Sequence, residues 1–287
     1  MVEMKSGLIL EGGAMRGLFT AGVIDVLMEN SIEFDGIIGV SAGACFGCNY
    51  KSGQIGRTLH YNLKYCRDKR YCSFRSLLFT GDMYGADFCY RKIPCELDVF
   101  DNDAYMKNPM EFHLVCTDVV TGEAVYRKME SLEGDEVEWI RASASMPLAA
   151  KIVEIEGRKL LDGGVADSIP VKYFESLGYN RNVVVLTQPE GYIKSRNRVM
   201  TIAKGVYKKY PGLIKAMEKR HLVYNATTKY IAGEEAAGRL FVIRPDRDLP
   251  VGHISHNPEK LQSTYNTGRR IMEKRIGELK KYLNSES

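Results

Sequence analysis

The sequence predicts an open, mainly parallel α/β fold. Two observations carry this. Two short apolar runs, Leu8–Leu10 and Phe34–Val40, each end at a glycine-bearing turn and lead into residues with helical apolar spacing. Further apolar runs follow at intervals, giving the strand–loop–helix–strand–turn–helix rhythm of a sheet covered by helices.

The elements follow in order. Leu8–Leu10 reads as a buried first strand within the N-terminal run MVEMKSGLILEGG. That run is too short and lacks the small-residue cleavage site of a secretion signal. Leu18–Met28 places Leu18, Ala21, Gly22, Ile24, Leu27 and Met28 at helical spacing. Phe34–Val40 is the second strand, and Ala42-Gly43-Ala44-Cys45 opens another helix. Residues 53–105 are less regular, with a helix expected near Thr58–Cys66. Phe112–Thr117 and Glu123–Arg127 are strand candidates, and Glu136–Ser145 reads as a helix stopped by Pro147. Ile152–Ile155 and Lys159–Leu161 flank Glu156-Gly157 as a hairpin. Asn182–Leu186 and Phe241–Ile243 are later strands. Between them runs a basic helical stretch, Arg198–Tyr230, interrupted at Pro211-Gly212. Pro258–Leu283 reads as a polar, charged helix. Without repeats or a low-complexity linker, residues 1–287 are expected to form one domain, with a motif-bearing core over about 7–190 and a basic helical part over about 191–287.

Composition narrows the function classes. The chain has 287 residues, 45% of them hydrophobic and 26% charged, as in ordinary globular proteins. A net charge of +4 gives no argument for a nucleic-acid partner. No apolar stretch is long enough for a bilayer. Seven cysteines, an odd number, favour reduced thiols in a cytoplasmic setting over a disulfide framework. Four cysteines at zinc spacing are not present, and no clustered acidic loop of the EF-hand kind suits calcium, so neither a metal nor another cofactor is expected.

Three segments carry chemistry. Gly39-Val40-Ser41-Ala42-Gly43 sets a serine between glycines, after a strand and before a helix. That is the pattern of a nucleophile elbow, in which the hydroxyl projects above the sheet edge. Gly12-Gly13-Ala14-Met15-Arg16-Gly17 also joins a strand to a helix. Its successive backbone N–H groups can form an oxyanion hole. A dinucleotide phosphate loop is the competing reading, but Ala14 stands where that pattern needs its middle glycine. Leu161-Asp162-Gly163-Gly164-Val165 puts a carboxylate in a tight turn. Read alone, it is also a common structural turn.

Taken together, Gly-Gly-x-x-Arg-Gly, then Gly-x-Ser-x-Gly, then Asp-Gly-Gly downstream resembles the patatin-like phospholipase family. The segment Arg141–Pro147 and the stretch Asp167–Val171 resemble the family's flanking pieces, and the likeness covers roughly Gly7 to Tyr173. The resemblance implies a three-layer α/β/α sandwich with a helical C-terminal segment. It implies an acyl hydrolase in which Ser41 attacks an ester carbonyl and Asp162 serves as its base, without a catalytic histidine. Gly12, Gly13, Ala14 and Met15 would form the oxyanion hole, supported by Arg16, Gly17, Gly39, Gly43, Gly163 and Gly164. The sequence departs from the family at Ala14, where a third glycine is usual. Alanine keeps its N–H but resists positive φ.

The expected substrate is a lipid ester. A soluble short-chain carboxylesterase and a catalytically weak, membrane-associating homologue are the alternatives. The basic stretch Lys194–Arg220 could lie on anionic lipid or simply be a solvated outer helix. Tyr61–Phe79 suggests a lid or acyl groove by composition. Cys45 and Cys48 fall on a small-residue packing face, where core packing is expected over redox chemistry. His253 and His256 are expected as surface-loop residues, and His60, His113 and His221 as structural or exposed.

Overall fold

A computed structural model describes residues 4–285. Residues 1–3 of the N-terminal run and residues 286–287 lie outside the described residues. The strands are β1 (Lys5–Leu10), β2 (Gly36–Val40), β3 (Glu111–Asp118), β4 (Ala124–Lys128), β5 (Val153–Ile155), β6 (Arg158–Asp162), β7 (Tyr179–Val185) and β8 (Leu240–Ile243). The helices are α1 (Gly17–Glu29), α2 (Ala42–Lys51), α3 (Arg57–Tyr65), α4 (Phe74–Thr80), α5 (Asn102–Lys107), α6 (Val137–Ser143), α7 (Val171–Ser176), α8 (Met200–Val206), α9 (Pro211–Ala236) and α10 (Pro258–Asn284). The expected elements are all present. The helix expected over Glu136–Ser145 is shorter, and the basic helix runs on to Ala236.

One sheet organises the chain, in the order β5-β6-β3-β2-β1-β7-β8 with β4 also on β3. The run β3-β2-β1-β7-β8 is parallel, and β4, β5 and β6 add antiparallel pairings. Strands β2 and β8 are buried throughout, and β1 from Gly7 onward, as parallel strands covered on both faces must be. Their continuous apolar composition follows from that double burial.

Helix α10 is more than a polar outer helix. Leu261, Thr264, Tyr265, Gly268, Ile271, Met272 and Leu279 are buried, a stripe recurring at three- and four-residue steps. The stripe packs on α1 at backbone distance. A Cβ on Gly22 would stand 2.1 Å from the Tyr265 carbonyl oxygen, and one on Gly268 would stand 2.0 Å from that of Phe19. Larger residues there would force the helices apart. The Tyr265 hydroxyl donates to buried Asp25 at 2.6 Å, and the Gly56 N–H donates to the same carboxylate oxygen at 3.0 Å.

Sheet register positions the site. Val40, the residue before Ser41, pairs with Val115 on β3. On the other side of β3, Asp162 pairs with Cys116. Two residues 121 positions apart in sequence therefore leave the sheet side by side at the same end.

Candidate active site

Ser41 sits on the turn between β2 and α2 with φ 55° and ψ −121°. A non-glycine residue held there costs on the order of 1–3 kcal/mol, so the surroundings must fix it. They do so through the backbone. The Ser41 N–H donates to Ser143 Oγ at 3.0 Å, and Ser143 Oγ donates to the Val115 carbonyl at 2.7 Å. The Ser41 carbonyl accepts the N–H groups of Ala44 and Cys45, each at 3.0 Å. The flanking glycines are sterically required. A Cβ on Gly39 would lie 2.5 Å from the Ala44 nitrogen and the Gly43 carbonyl, and one on Gly43 would lie 2.4 Å from the Leu10 carbonyl oxygen.

The serine and the aspartate meet. Ser41 Oγ donates to Asp162 Oδ2 at 2.7 Å, with the two residues 7% and 5% exposed. The second carboxylate oxygen, Oδ1, accepts the Gly164 N–H at 2.7 Å. The Asp162 carbonyl accepts the Thr117 hydroxyl at 2.8 Å, and its N–H donates to the Ser145 carbonyl at 2.8 Å. Burial pushes the Asp162 pKa above the ordinary carboxylate value. The Ser41 hydroxyl, the positive charge of Arg220 and the Gly164 N–H pull it back down. The result is a carboxylate more basic than one in water.

The glycine-rich loop lies beside this pair. A Cβ on Gly12 would stand 3.0 Å from Ser41 Cβ, so the loop is in close contact with the elbow. Ala14 has φ 48°, the left-handed conformation that alanine resists. Ala14 to Arg16 form a single 3-10 turn, closed by the Arg16 N–H donating to the Gly13 carbonyl at 3.1 Å. Met15 is buried, and Gly17 begins α1 against Ala42. Glu11 anchors the loop from below. Its buried carboxylate accepts the Thr187 N–H at 2.6 Å and the Tyr224 hydroxyl at 2.8 Å, and the Thr187 hydroxyl lies 3.1 Å from the Gly12 carbonyl.

Two spaces open from Ser41 and Ala14. One is an apolar cavity lined by Met15, Cys45, Phe46, Tyr61, Tyr90 and Ile93, among others. The π-helical segment Phe88–Leu97 forms one side of it. The other, a polar cleft by its charges, also contains Asp162 and is lined by Arg16, Lys194, Arg220 and His253 together with apolar groups such as Val165, Val199 and Met217. The composition of Tyr61–Phe79 suggested an acyl groove, and its Tyr61 and Tyr71 line the apolar cavity. Cys45 and Cys48 line it as well. Burial raises their thiol pKa values to about 12 and about 11, which leaves them protonated and unreactive at neutral pH.

Sequence reasoning missed the residues that reach the site from the last third of the chain. Arg220 on α9 donates through Nε to the Gly164 carbonyl at 2.5 Å. Lys194 and His221 also face the cleft. His253, expected as a loop residue, is exposed at the cleft. Partial desolvation and the charges of Arg16, Arg220 and Lys194 lower its pKa to about 4, so it is neutral at pH 7. Neither His253 nor His221 hydrogen-bonds Ser41, whose hydroxyl is taken by Asp162.

Comparison with known proteins then decides the family. The Patatin-like phospholipase family model matches residues 8–175, and a second model, Domain of unknown function DUF6363, matches residues 210–284. The chain belongs to the patatin-like phospholipase family. Members are hydrolases acting on lipid ester bonds. The chain is 26% identical to YjjU of Escherichia coli K12, covering 92% of this chain and 75% of that one. It is 26% identical to an NTE family protein of Mycobacterium tuberculosis, over 58% of this chain and 44% of that one. It is 28% identical to the lysophospholipase nte1 of Emericella nidulans, over 60% of this chain and 11% of that one. The patatin-like match ends at residue 175, so Lys194 and Arg220 lie beyond it.

Proposed function

We propose that this protein hydrolyses lipid carboxylic esters of the phospholipid or lysophospholipid kind, with Ser41 as nucleophile and Asp162 as its base. The observation that carries the reading is the 2.7 Å hydrogen bond from the Ser41 hydroxyl to a buried carboxylate at a strained elbow. Asp162 accepts the hydroxyl proton as Oγ bonds to the ester carbonyl carbon. The carbonyl oxygen becomes an oxyanion, which the N–H groups of the loop Gly12–Met15 would receive. Among the described residues, the N–H groups of Gly13 and Ala14 have no protein acceptor. Loss of one such donor typically costs about 3 kcal/mol of transition-state stabilisation. The intermediate collapses, the carbon–oxygen bond to the alcohol breaks, and Asp162 returns its proton to that leaving oxygen. Water then repeats the sequence on the acyl-serine, releasing the fatty acid.

The apolar cavity suits the acyl chain and the polar cleft suits the alcohol part. Peripheral contact with an anionic membrane is part of this reading. On α4, Phe74, Leu78 and Phe79 are 76%, 79% and 76% exposed. On α8, Ile202 and Val206 are exposed beside Lys204, and Lys208 and Lys209 follow. Exposed apolar groups with neighbouring cations suit a lipid interface. Among the described residues, no helix is long and apolar enough to cross a membrane.

Covalent labelling with a fluorophosphonate, read by mass spectrometry, tests the chemistry. Labelling at Ser41 is expected, with none at that position in Ser41→Ala. Turnover of a lysophospholipid is expected to fall by about 10⁴-fold or more in Ser41→Ala and Asp162→Asn. Undiminished turnover by folded Asp162→Asn would overturn the assignment of the base.

A further inference from the structure

The polar cleft holds more positive charge than its own acids neutralise. We propose that Lys194, Arg220 and Arg16 form an anion subsite that binds the phosphate of the substrate's leaving group. Acyl glycerols bearing a phosphate would then be hydrolysed in preference to uncharged ones. The proposal rests on the acyl hydrolase reading for its consequence, and on the cleft alone for the binding site.

Four observations support the site. First, all three cations line the cleft that contains Ser41 and Asp162, and none of the three forms an ion pair among the described residues. Three other half-buried arginines, by contrast, have carboxylate partners: Arg57 has Asp98, Arg141 has Glu138 and Arg244 has Glu235. Second, Arg16 Nε is buried without a hydrogen-bond partner. A buried unpaired donor is costly, and no protein acceptor among the described residues offsets that cost here. Third, the acids of the cleft are already committed. Glu11 accepts from Thr187 and Tyr224, and Asp162 accepts from Ser41 and Gly164.

Fourth, Lys194 is mounted to point where it does. Its N–H donates to Asn225 Oδ1 at 2.8 Å, and its carbonyl accepts from Asn225 Nδ2 at 3.0 Å, which ties the loop to α9. Its ammonium lies 4.2 Å from the centre of the Tyr224 ring and 5.8 Å from that of Tyr192. Desolvation, followed by repulsion from Arg220, lowers its pKa to about 8; the Glu11 charge opposes this and Arg16 adds to the lowering. Mutually repelling cations held close together gain most from a bound dianion. Arg220 offers a guanidinium and Lys194 a point charge, the donor pair commonly found on phosphate groups.

The test uses the full chain carrying Ser41→Ala, titrated calorimetrically at pH 7 with sn-glycerol 3-phosphate, with glycerol and with inorganic phosphate. Glycerol 3-phosphate is expected to bind and glycerol is not. Adding Lys194→Met should weaken glycerol 3-phosphate by roughly 10- to 100-fold, and Lys194→Arg should recover most of the loss. With Ser41 intact, the ratio of kcat/KM for 1-oleoyl-glycerol 3-phosphate over 1-oleoyl-glycerol should fall by about tenfold or more in Lys194→Met, chiefly through KM. Thermal melting of the variants guards against misfolding. Binding unchanged by Lys194→Met, or an unaltered substrate ratio, overturns the subsite. Inorganic phosphate binding as tightly as glycerol 3-phosphate, with no preference for the phosphorylated ester, would make this a free-phosphate site and overturn its assignment to the lipid. Glycerol 3-phosphate binding alongside an unlabelled, inactive Ser41 would instead sink the hydrolase reading and leave the subsite standing.

Discussion

The two spaces that meet at Ser41 are built by different means. The apolar cavity is made from residues 14–146, where aromatic and aliphatic side chains of α2, α3 and the π-helical segment pack around a void. Its selectivity is one of volume, since dispersion and apolar burial carry no direction. The polar cleft draws on the first glycine loop and on the last third of the chain, and its groups are charges aimed by hydrogen bonds to Gly164 and Asn225. Its selectivity is one of charge and orientation. A lipid ester has the same division, so one site can read each half of the molecule by the physics suited to it.

The sharpest way to break this division is to fill the apolar side alone. Cys45 lines the cavity, with its Sγ 4.0 Å from the Tyr90 hydroxyl. Cys45→Phe would put a ring where an acyl chain is proposed to lie. Hydrolysis of a palmitoyl ester is expected to fall on the order of 100-fold, and that of a butyryl ester by less than tenfold. Measuring kcat/KM across acyl lengths checks this. An equal loss at every length would mean that the cavity does not hold the chain. A wild-type preference for butyryl esters would favour a soluble short-chain carboxylesterase.

A smaller effect is expected on the polar side. Arg220 lowers the Asp162 pKa through its charge and steadies the Asp-Gly-Gly turn through Gly164. As the proposed base, Asp162 must be ionised to accept a proton, so activity is expected to be lost as pH falls through its pKa. Removing the arginine charge lets burial raise that pKa further. In Arg220→Met, the acid limb of the kcat/KM profile should therefore move to higher pH. The loss at pH 7 should be roughly tenfold on an uncharged ester, chosen so that phosphate binding plays no part. An unmoved acid limb would show that Arg220 acts on the substrate alone.

This contrast also explains what could be read in the sequence. The elbow, the glycine loop and the Asp-Gly-Gly turn were legible because backbone geometry demands particular residues there. Gly39 and Gly43 have no room for a Cβ, and each lies at a fixed offset from Ser41. Ser143, Arg220 and Lys194 were not legible as site residues. The Ser143 and Arg220 side chains reach partners 102 and 56 positions away, and the Lys194 backbone is held by the Asn225 side chain 31 positions away, contacts that no local spacing encodes. A signal did exist for the charged pair, since both lie in the basic stretch Lys194–Arg220. Composition alone could not tell whether those charges faced a membrane, solvent or the serine. Helix α10 is a different kind of miss. Its apolar stripe from Leu261 to Leu279 was present at helical spacing, but the surrounding charges masked it in the average.

Ala14 gives the finest test, because it touches both spaces and holds a left-handed backbone. Its φ of 48° is a conformation that costs an L-residue about 1–2 kcal/mol. Ala14→Gly removes that strain but adds freedom to the unfolded chain, which offsets part of the gain. A net stabilisation of about 1 kcal/mol is expected in urea unfolding. The backbone is already left-handed with alanine present, so its N–H points as a glycine's would. The rate of fluorophosphonate labelling at Ser41 should then change by less than about twofold, a small fraction of the roughly 3 kcal/mol that losing one oxyanion donor costs. A large rise in labelling with Ala14→Gly would mean that the methyl group distorts the loop and that the natural chain is a weakened enzyme. A large fall would mean that the strained alanine holds the N–H in place better than a freer glycine can. Stabilisation without a change in rate would establish that the loop accepts alanine at a cost to folding alone.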